Sequence, residues 1–160
     1  MLTCTSFHPD GHLLAAGTST GEIHLFDIKS GALAASFSSQ PNSPITSLVF
    51  SENGTWLASV CSGSTEITVW DLRKASGVAN IKALELGFEA LSLFWDYTGQ
   101  FLLAGGVGGI SVQQYSKASK EWSEPLRLAV PATAVTWTKA AKGMLALSAE
   151  GALTLIRPST

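Results

Sequence analysis

An internal repeat is the feature that most constrains this sequence. Four aromatic residues recur at intervals of about 43 residues along the chain; they are Phe7, Phe50, Trp95 and Trp137. A glycine follows the first three of them at a constant spacing (Gly11, Gly54 and Gly99). Self-similarity of this length is typical of repeat architectures, in which each copy forms one supersecondary unit and buries its faces against its neighbours.

Each copy contains short apolar segments that are separated by turn residues. The segments HPD, SEN and DYT precede the three glycines. They predict hairpin turns, because Asn, Asp and Gly tolerate the positive φ that such turns need. A third strand with alternating polarity follows, as in EITVW at 66–70, and fourth strands are predicted at 32–37, 80–86 and 124–130. Since no segment has a helical period, the sequence predicts an all-β chain of propeller blades.

The repeats also predict the domain organisation. The fourth copy ends after its third strand, near Ile156, and residues 157–160 form a tail. We expect one partial propeller over residues 1–160, with repeats at roughly 1–43, 44–88, 89–131 and 132–157. This pattern fits the last four blades of a larger ring of about seven, in which the final blade lacks its closing strand.

Composition excludes several functional classes. Hydrophobic residues make up 46% of the chain and charged residues 14%, which indicates a folded domain. The net charge of −2 provides no long-range attraction for phosphate backbones or anionic lipid, so direct nucleic-acid binding is not expected. No apolar run is long enough to span a bilayer and no signal peptide is recognisable, so we expect an intracellular protein that is neither secreted nor membrane-bound.

Few residues suggest catalysis or metal binding. His8 and His12 have the spacing of metal ligands on a helix, but Pro9 and Gly11 lie between them and predict a turn. The glycine-rich segment at 105–109 lacks the lysine and the helix of a phosphate-binding loop, so we interpret it as a tight loop between strands.

The predicted innermost strands argue against an enzyme. A propeller enzyme would use groups that line its central channel, and these strands contain no Asp, Glu, His or Lys. They are predicted at 3–7, 46–50, 91–95 and 133–137. Catalytic residues, metals and cofactors are therefore not expected.

The cysteines and tryptophans have structural interpretations. Cys4 and Cys61 lie in apolar runs, which favours buried reduced thiols, with a disulfide as the alternative. The five tryptophans are expected mainly in packing between blades, because both faces of a blade are buried. Trp122 is the exception, since it lies beside Lys120 and Glu121 and an exposed position is open to it.

The motif VWDLRK at 69–74 resembles the WD-repeat family. Trp70 and Asp71 occupy its structural WD position, and Phe26 and Asp27 occupy that position in the first copy. The Gly-His pair that opens many WD repeats is absent from the openings of these repeats. We therefore expect that the usual His–Asp–Ser–Trp hydrogen-bond set cannot be assembled and that the blades depend more on packing.

A closer resemblance covers almost the whole chain. HPDG at 8–11, SPITSLVFSENG at 43–54, VWDLRK at 69–74 and residues 96–106 are similar to the C-terminal propeller of the pre-mRNA-processing factor nineteen family. Members of that family are U-box ubiquitin ligases that scaffold the spliceosomal Nineteen complex. The resemblance implies a nuclear scaffold or substrate-recognition propeller, whose partners are splicing-complex components and ubiquitination substrates.

Two segments of that family have no counterpart in these residues: the U-box, and the coiled coil through which the family oligomerises. No catalytic activity is therefore expected of this segment. A WD-repeat adaptor of another intracellular complex is the alternative function, and a propeller enzyme is a remote one.

Loops on one rim are the predicted partner-binding surface, because a rigid β scaffold leaves recognition to its connections. The rim that carries the inter-blade loops and the loops between second and third strands is the more common docking face of WD propellers. The predicted contact residues there are Thr20, Asn42, Ser64, Phe88 and Glu89. Phe88 would be the aromatic anchor; alternatively, it packs under the first strand of the next blade.

Overall fold

The computed structural model describes residues 1–73, 79–139 and 142–157, and it gives no side-chain surroundings for residues 79–81. These residues form sixteen β-strands in four antiparallel sheets, which follow one another along the chain. Each sheet corresponds to one predicted propeller blade. Lys74 of the WD motif and the tail at 158–160 lie outside the described residues.

The blades have the following strands. Blade one contains β1 (Leu2–Phe7), β2 (Leu13–Thr18), β3 (Glu22–Asp27) and β4 (Leu33–Ser38). Blade two contains β5 (Ile45–Phe50), β6 (Trp56–Cys61), β7 (Glu66–Asp71) and β8 (Ala79–Glu85). Blade three contains β9 (Ser92–Trp95), β10 (Phe101–Gly106), β11 (Gly109–Ser116), β12 (Glu121–Trp122) and β13 (Leu126–Leu128). Blade four contains β14 (Ala134–Trp137), β15 (Met144–Leu147) and β16 (Leu153–Ile156).

The turns between the first and second strands are alike in blades one to three. In each, the glycine has a positive φ (75° at Gly11, 67° at Gly54 and 64° at Gly99). Each glycine also donates its N–H to the residue at the start of the turn, over 2.8 to 3.0 Å. The predicted hairpin turns are therefore confirmed, and glycine is needed there because other residues rarely adopt this φ.

Consecutive blades pack through their first strands, so that β1 contacts β5, β5 contacts β9 and β9 contacts β14. The hydrophobic core is divided accordingly into three clusters, one at each junction between blades. Ile23, Ile45 and Trp70 belong to the cluster between blades one and two. The alternating apolar residues of β3, β7 and β11 point into these clusters, as a blade buried on both faces requires.

Two glycines allow close approach between blades. A Cβ at Gly17 of β2 would lie 2.7 Å from Ile45 Cβ in blade two, and a Cβ at Gly105 of β10 would lie 2.5 Å from Val135 Cγ1 in blade four. Real side chains do not approach this closely. The residue at these positions must therefore be glycine for the blades to keep their spacing. Within the segment 105–109, Val107 and Gly108 form the turn between β10 and β11, so the predicted tight loop is shorter than the glycine run.

The fourth strand of blade three differs from its prediction at 124–130. It is divided into β12, which pairs with one end of β11, and β13, which pairs with the other end. Pro125 lies between them and has no N–H to donate to the sheet. Ser123 spans the break: its N–H donates to Gln114 O at 2.7 Å, and its Oγ accepts from Gln114 N at 3.0 Å.

Trp122 is not the exposed residue that its charged neighbours suggested. It is half-buried and packs against the cluster between blades two and three. Its ring centroid lies 5.5 Å from that of Tyr115, 5.9 Å from that of Trp56 and 5.8 Å from that of Trp95. Aromatic packing across the two blades therefore outweighs the local polarity of the sequence.

Blade four contains three described strands in the order β14-β15-β16. Its outermost described strand carries exposed leucines, with 69% of Leu153 and 46% of Leu155 accessible. The face of blade four that carries these leucines is consequently open to solvent.

Both cysteines are free thiols, Cys61 buried and Cys4 half-buried, in agreement with the favoured prediction. Burial raises the pKa of the Cys4 thiol above its ordinary value. Within the described residues, no helix is long and apolar enough to cross a membrane.

Candidate partner-binding rim

The predicted contact residues lie on one rim of the blade stack, which we call the linker rim. It is formed by the β2–β3 turn at 19–21, the β4–β5 linker at 39–44, the β6–β7 turn at 62–65 and the β8–β9 linker at 86–91. All four segments lie at the same end of their blades, because the strands of each sheet run antiparallel from a first strand of the same direction.

Hydrogen bonds join these loops across the blades. Asn42 N donates to Thr20 O at 3.0 Å, within the part of the rim formed by blade one and its linker. Ser43 Oγ donates to Ser62 O at 2.9 Å, and Ser62 N donates to Pro44 O at 2.8 Å. The linker rim is therefore a continuous surface in which hydrogen bonds connect neighbouring loops.

Thr20 and Asn42 are both exposed and adjacent on this rim. The Thr20 hydroxyl lies 3.0 Å from the Thr18 hydroxyl. Asn42 has a φ of 59°, in the left-handed region that asparagine tolerates better than most residues. These two side chains present polar groups at the junction of blades one and two.

Ser64 is half-buried, and its hydroxyl is used within its own turn. Ser64 Oγ donates to Glu66 O and accepts from Glu66 N, both at 3.2 Å. Its role in the described structure is to shape the β6–β7 turn.

Glu89 is exposed, and its carboxylate reaches back to blade two. Gly63 N donates to Glu89 Oε1 at 2.7 Å, which ties the β6–β7 turn to the β8–β9 linker. Sequence reasoning missed this bond, since nothing in the local pattern of either segment indicates it.

Phe88 is half-buried and packs against the core cluster between blades two and three. A Cβ at Gly108 would lie 2.6 Å from Phe88 Cβ, so the aromatic residue is seated on the β10–β11 turn. The structure thus places Phe88 against the β10–β11 turn of blade three, whereas the alternative interpretation placed it under the first strand of that blade.

In the first copy, the residues at the structural WD position make contacts within blade one. Asp27 Oδ1 accepts from Ser30 N and from Ser30 Oγ, both at 2.7 Å. These bonds, the backbone one above all, lower the pKa of the Asp27 carboxyl below its ordinary value. Phe26 is half-buried, with its ring 6.3 Å from that of His24.

Asp71 and Arg73 form a two-pronged ion pair at the end of β7. Arg73 Nε donates to Asp71 Oδ1 at 2.9 Å, and Arg73 Nη2 donates to Asp71 Oδ2 at 2.7 Å. This contact raises the pKa of the Arg73 guanidinium. Asp71 itself is buried, so the pairing compensates for the loss of its hydration.

The Trp–Ser part of the WD hydrogen-bond set forms in blade two, although the full set was not expected. Trp70 Nε1 donates to Ser59 Oγ at 2.9 Å in the interior of blade two. Ser59 Oγ lies 3.5 Å from Ser39 Oγ, to which Cys61 Sγ donates at 3.6 Å. The Trp–Ser half of the set therefore survives without the histidine, because the serine finds other hydroxyl and thiol partners.

The first strands that face the centre of the stack contain no Asp, Glu, His or Lys. In the part of the chain that the structure describes, no three His, Cys, Asp or Glu side chains are grouped so that they could hold a metal ion.

Comparison with known proteins gives the family. Residues 1–111 match the β-propeller family model described as nucleolar protein 10-like, N-terminal domain. Among curated proteins, the chain is 37% identical over 121 residues to pre-mRNA-processing factor 19 of Schizosaccharomyces pombe, covering 76% of this chain and 24% of the relative. It is 41% identical over 127 residues to the Homo sapiens protein of the same name, covering 78% of this chain and 23% of the relative. The chain thus spans about a quarter of the length of these relatives.

Solved structures show the same fold. The crystal structure of the Myceliophteria thermophila Cps50 (Swd1) β-propeller domain matches with a TM-score of 0.80 at 21% identity, over 98% of this chain and 51% of that one. Kuenenia stuttgartiensis hydrazine synthase matches with a TM-score of 0.78 at 12% identity, over 96% of this chain and 45% of that one. At these identities the likeness concerns the fold alone. The chain belongs to the β-propeller family of nucleolar protein 10-like N-terminal domains, and it is a propeller segment that resembles pre-mRNA-processing factor 19.

Proposed function

We propose that this chain is the protein-docking propeller of a nuclear pre-mRNA splicing factor, and that its partners dock on the linker rim. The observation that carries the proposal is the similarity to pre-mRNA-processing factor 19, which reaches 41% identity over 127 residues. The role is that of a scaffold or recognition surface for splicing-complex components and ubiquitination substrates. Ubiquitin transfer would belong to other parts of such a protein.

The geometry of the linker rim supports docking. Its loops are bonded to one another, as in the bond from Gly63 N to Glu89 Oε1, so a partner would meet a surface that is already ordered. Pre-ordering reduces the entropy lost on association and therefore favours binding. Thr20, Asn42 and Glu89 are exposed and polar, which suits hydrogen-bonded and water-mediated contacts.

A second candidate is an adaptor in a nucleolar assembly. The matching family model is described as nucleolar protein 10-like, and it covers residues 1–111 of this chain. Both candidates belong to the class of binding proteins, and both use the propeller as a scaffold. They differ in the complex that is bound.

The experiment is an affinity purification of the longest protein that contains this chain, from nuclear extract, with quantification of the bound proteins by mass spectrometry. Splicing-complex components are expected in excess over nucleolar proteins, and the reverse result would favour the nucleolar adaptor. Glu89→Lys should remove the partners, whereas Glu52→Lys, an exposed change of the same kind on the opposite rim, should retain them. Retention of partners by Glu89→Lys and their loss in Glu52→Lys would place docking on the other rim.

A further inference from the structure

A groove between blades two and three lies on the rim opposite to the linker rim. It has a volume of about 450 Å³ and opens near the end of β7 and the end of β11. Three aromatic side chains form its apolar part: Trp56 from blade two, and Tyr115 and Trp122 from blade three. Trp56 and Tyr115 meet edge to face with their centroids 4.6 Å apart, so these two walls of the groove pack against each other.

Three of the five charged side chains that line the groove are positive. Arg73, Lys82 and Lys120 line it together with Asp71 and Glu121. Asp71 is buried and bonded to Arg73 by two hydrogen bonds, so these two charges compensate each other. Lys82 and Lys120 then outnumber Glu121, although the whole chain carries a net charge of −2. The groove is therefore a locally cationic site on a weakly anionic protein.

Lys120 has a backbone conformation that lysine rarely adopts. Its φ is 59°, and it is one of only two residues other than glycine with a positive φ among those described. Lys120 N donates to Ser116 O at 2.8 Å, which closes the turn that leads into β12. Glycine or asparagine would fit this turn with less strain, and strained residues of this kind are concentrated at binding sites. Lys120 thus lies at the edge of the aromatic groove in this conformation.

We propose that this groove binds an acidic peptide segment of a partner protein, one that places an aliphatic side chain next to its carboxylates. The aliphatic side chain would contact Trp122 and Tyr115, which are half-buried and keep part of their rings at the surface. The carboxylates would pair with Lys82 and Lys120, which come from different blades. A cationic ligand is disfavoured, since Asp71 is already bonded to Arg73 and the two lysines outnumber Glu121.

The groove is distinct from the linker rim, and peptide binding in the groove does not depend on which splicing partners dock on that rim. It also lies between the two inner blades, away from the open face of blade four, so association of the chain through that face leaves the groove accessible. Binding at the two rims can therefore be measured separately.

The test uses the whole chain and a fluorescein-labelled peptide, Asp-Glu-Leu-Glu-Leu-Asp, followed by fluorescence anisotropy. Two control peptides replace either the leucines with serine or the acidic residues with lysine. We expect the acidic leucine peptide to bind more tightly than the serine peptide and the lysine peptide not to bind. Affinity should fall as salt is raised, because the lysines are exposed.

The decisive variant combines Lys82→Glu with Lys120→Gly. The glycine removes the ammonium group and the strained φ together, so unfolding at this turn does not account for a loss of binding. We expect affinity for the acidic leucine peptide to fall about ten-fold. Lys29→Glu, a charge reversal at an exposed position of blade one, should leave affinity unchanged. Absence of binding, equal binding of the acidic and lysine peptides, or equal affinities of the double variant and Lys29→Glu would each overturn the proposal.

Discussion

Trp70 Nε1 donates a hydrogen bond of 2.9 Å to Ser59 Oγ, and both residues are buried. The same indole ring packs against Phe37 of blade one, with the centroids 4.7 Å apart. A single side chain thus satisfies a polar group inside blade two and fills the junction with blade one.

Removing either partner of this bond should lower the free energy of unfolding. Trp70→Ala should cost roughly 3–5 kcal/mol through lost burial and the cavity that remains. Ser59→Ala should cost about 1–3 kcal/mol, because the indole N–H is left buried without an acceptor. Urea denaturation followed by circular dichroism measures both changes. Ser119→Ala at an exposed turn is the control, and equal stability of all three variants would show that this junction is not structural.

Gly105→Ala should destabilise the contact between blades three and four. The new methyl group would overlap Val135, and relief of that overlap requires the blades to separate. Overpacking of this kind costs typically about 1–3 kcal/mol. Adding Val135→Ala should recover part of the loss, since it removes the atom that the new methyl group meets. The melting temperatures of the single and double variants test this, and an unaffected Gly105→Ala would contradict it.

The Asp27 carboxyl should titrate at a lower pH than an ordinary aspartate. Its pKa is depressed by the hydrogen bonds from Ser30 N and Ser30 Oγ, which favour the ionised form. Because the folded pKa is below the unfolded one, the resulting stabilisation is present above the unfolded pKa and is lost as pH falls through the folded pKa. Carbon-13 NMR of the side-chain carboxyl measures the titration directly.

Ser30→Ala is the matched variant for this titration. It removes the hydroxyl donor and keeps the backbone N–H, so the Asp27 pKa should rise and remain below its ordinary value. A wild-type Asp27 that titrates like a free aspartate would contradict the expectation. Ser119→Ala should leave the titration unchanged.

The isolated 160-residue chain should associate in a concentration-dependent manner. Leu153 and Leu155 are 69% and 46% exposed on the outermost described strand of blade four, and such a strand can pair with another chain. Leu153→Lys combined with Leu155→Lys should reduce this association, and sedimentation velocity over a range of concentrations measures it. Thr154→Lys, between them on the same strand, should have a smaller effect. A monodisperse wild-type monomer would contradict the prediction.

The repeat pattern was sufficient to predict the elements that depend on local chemistry. The aromatic residues Phe7, Phe50, Trp95 and Trp137 end β1, β5, β9 and β14, and the turn glycines have the expected positive φ. These features follow from residue type and spacing, since both are determined within one hairpin. The sequence was therefore informative about the fold class and the order of the blades.

Contacts between distant segments could not be predicted in the same way. The charged neighbours of Trp122 indicate a surface position, whereas the residue packs against Trp56 of the preceding blade. Likewise, the bond from Gly63 N to Glu89 Oε1 joins two loops, and the sequence of neither loop indicates the contact. Such contacts depend on the angle between blades, and no local pattern encodes that angle.

The contact of each first strand with the next, β1 with β5, β5 with β9 and β9 with β14, makes the molecule a linear series of units. In such a series, stability is the sum of each unit and its nearest-neighbour junctions. Blades two and three have two junctions each, so their amide protons should exchange with solvent most slowly. Opening should begin at the outer blades and proceed inwards, and a ligand held between the two inner blades would slow exchange on both sides of it.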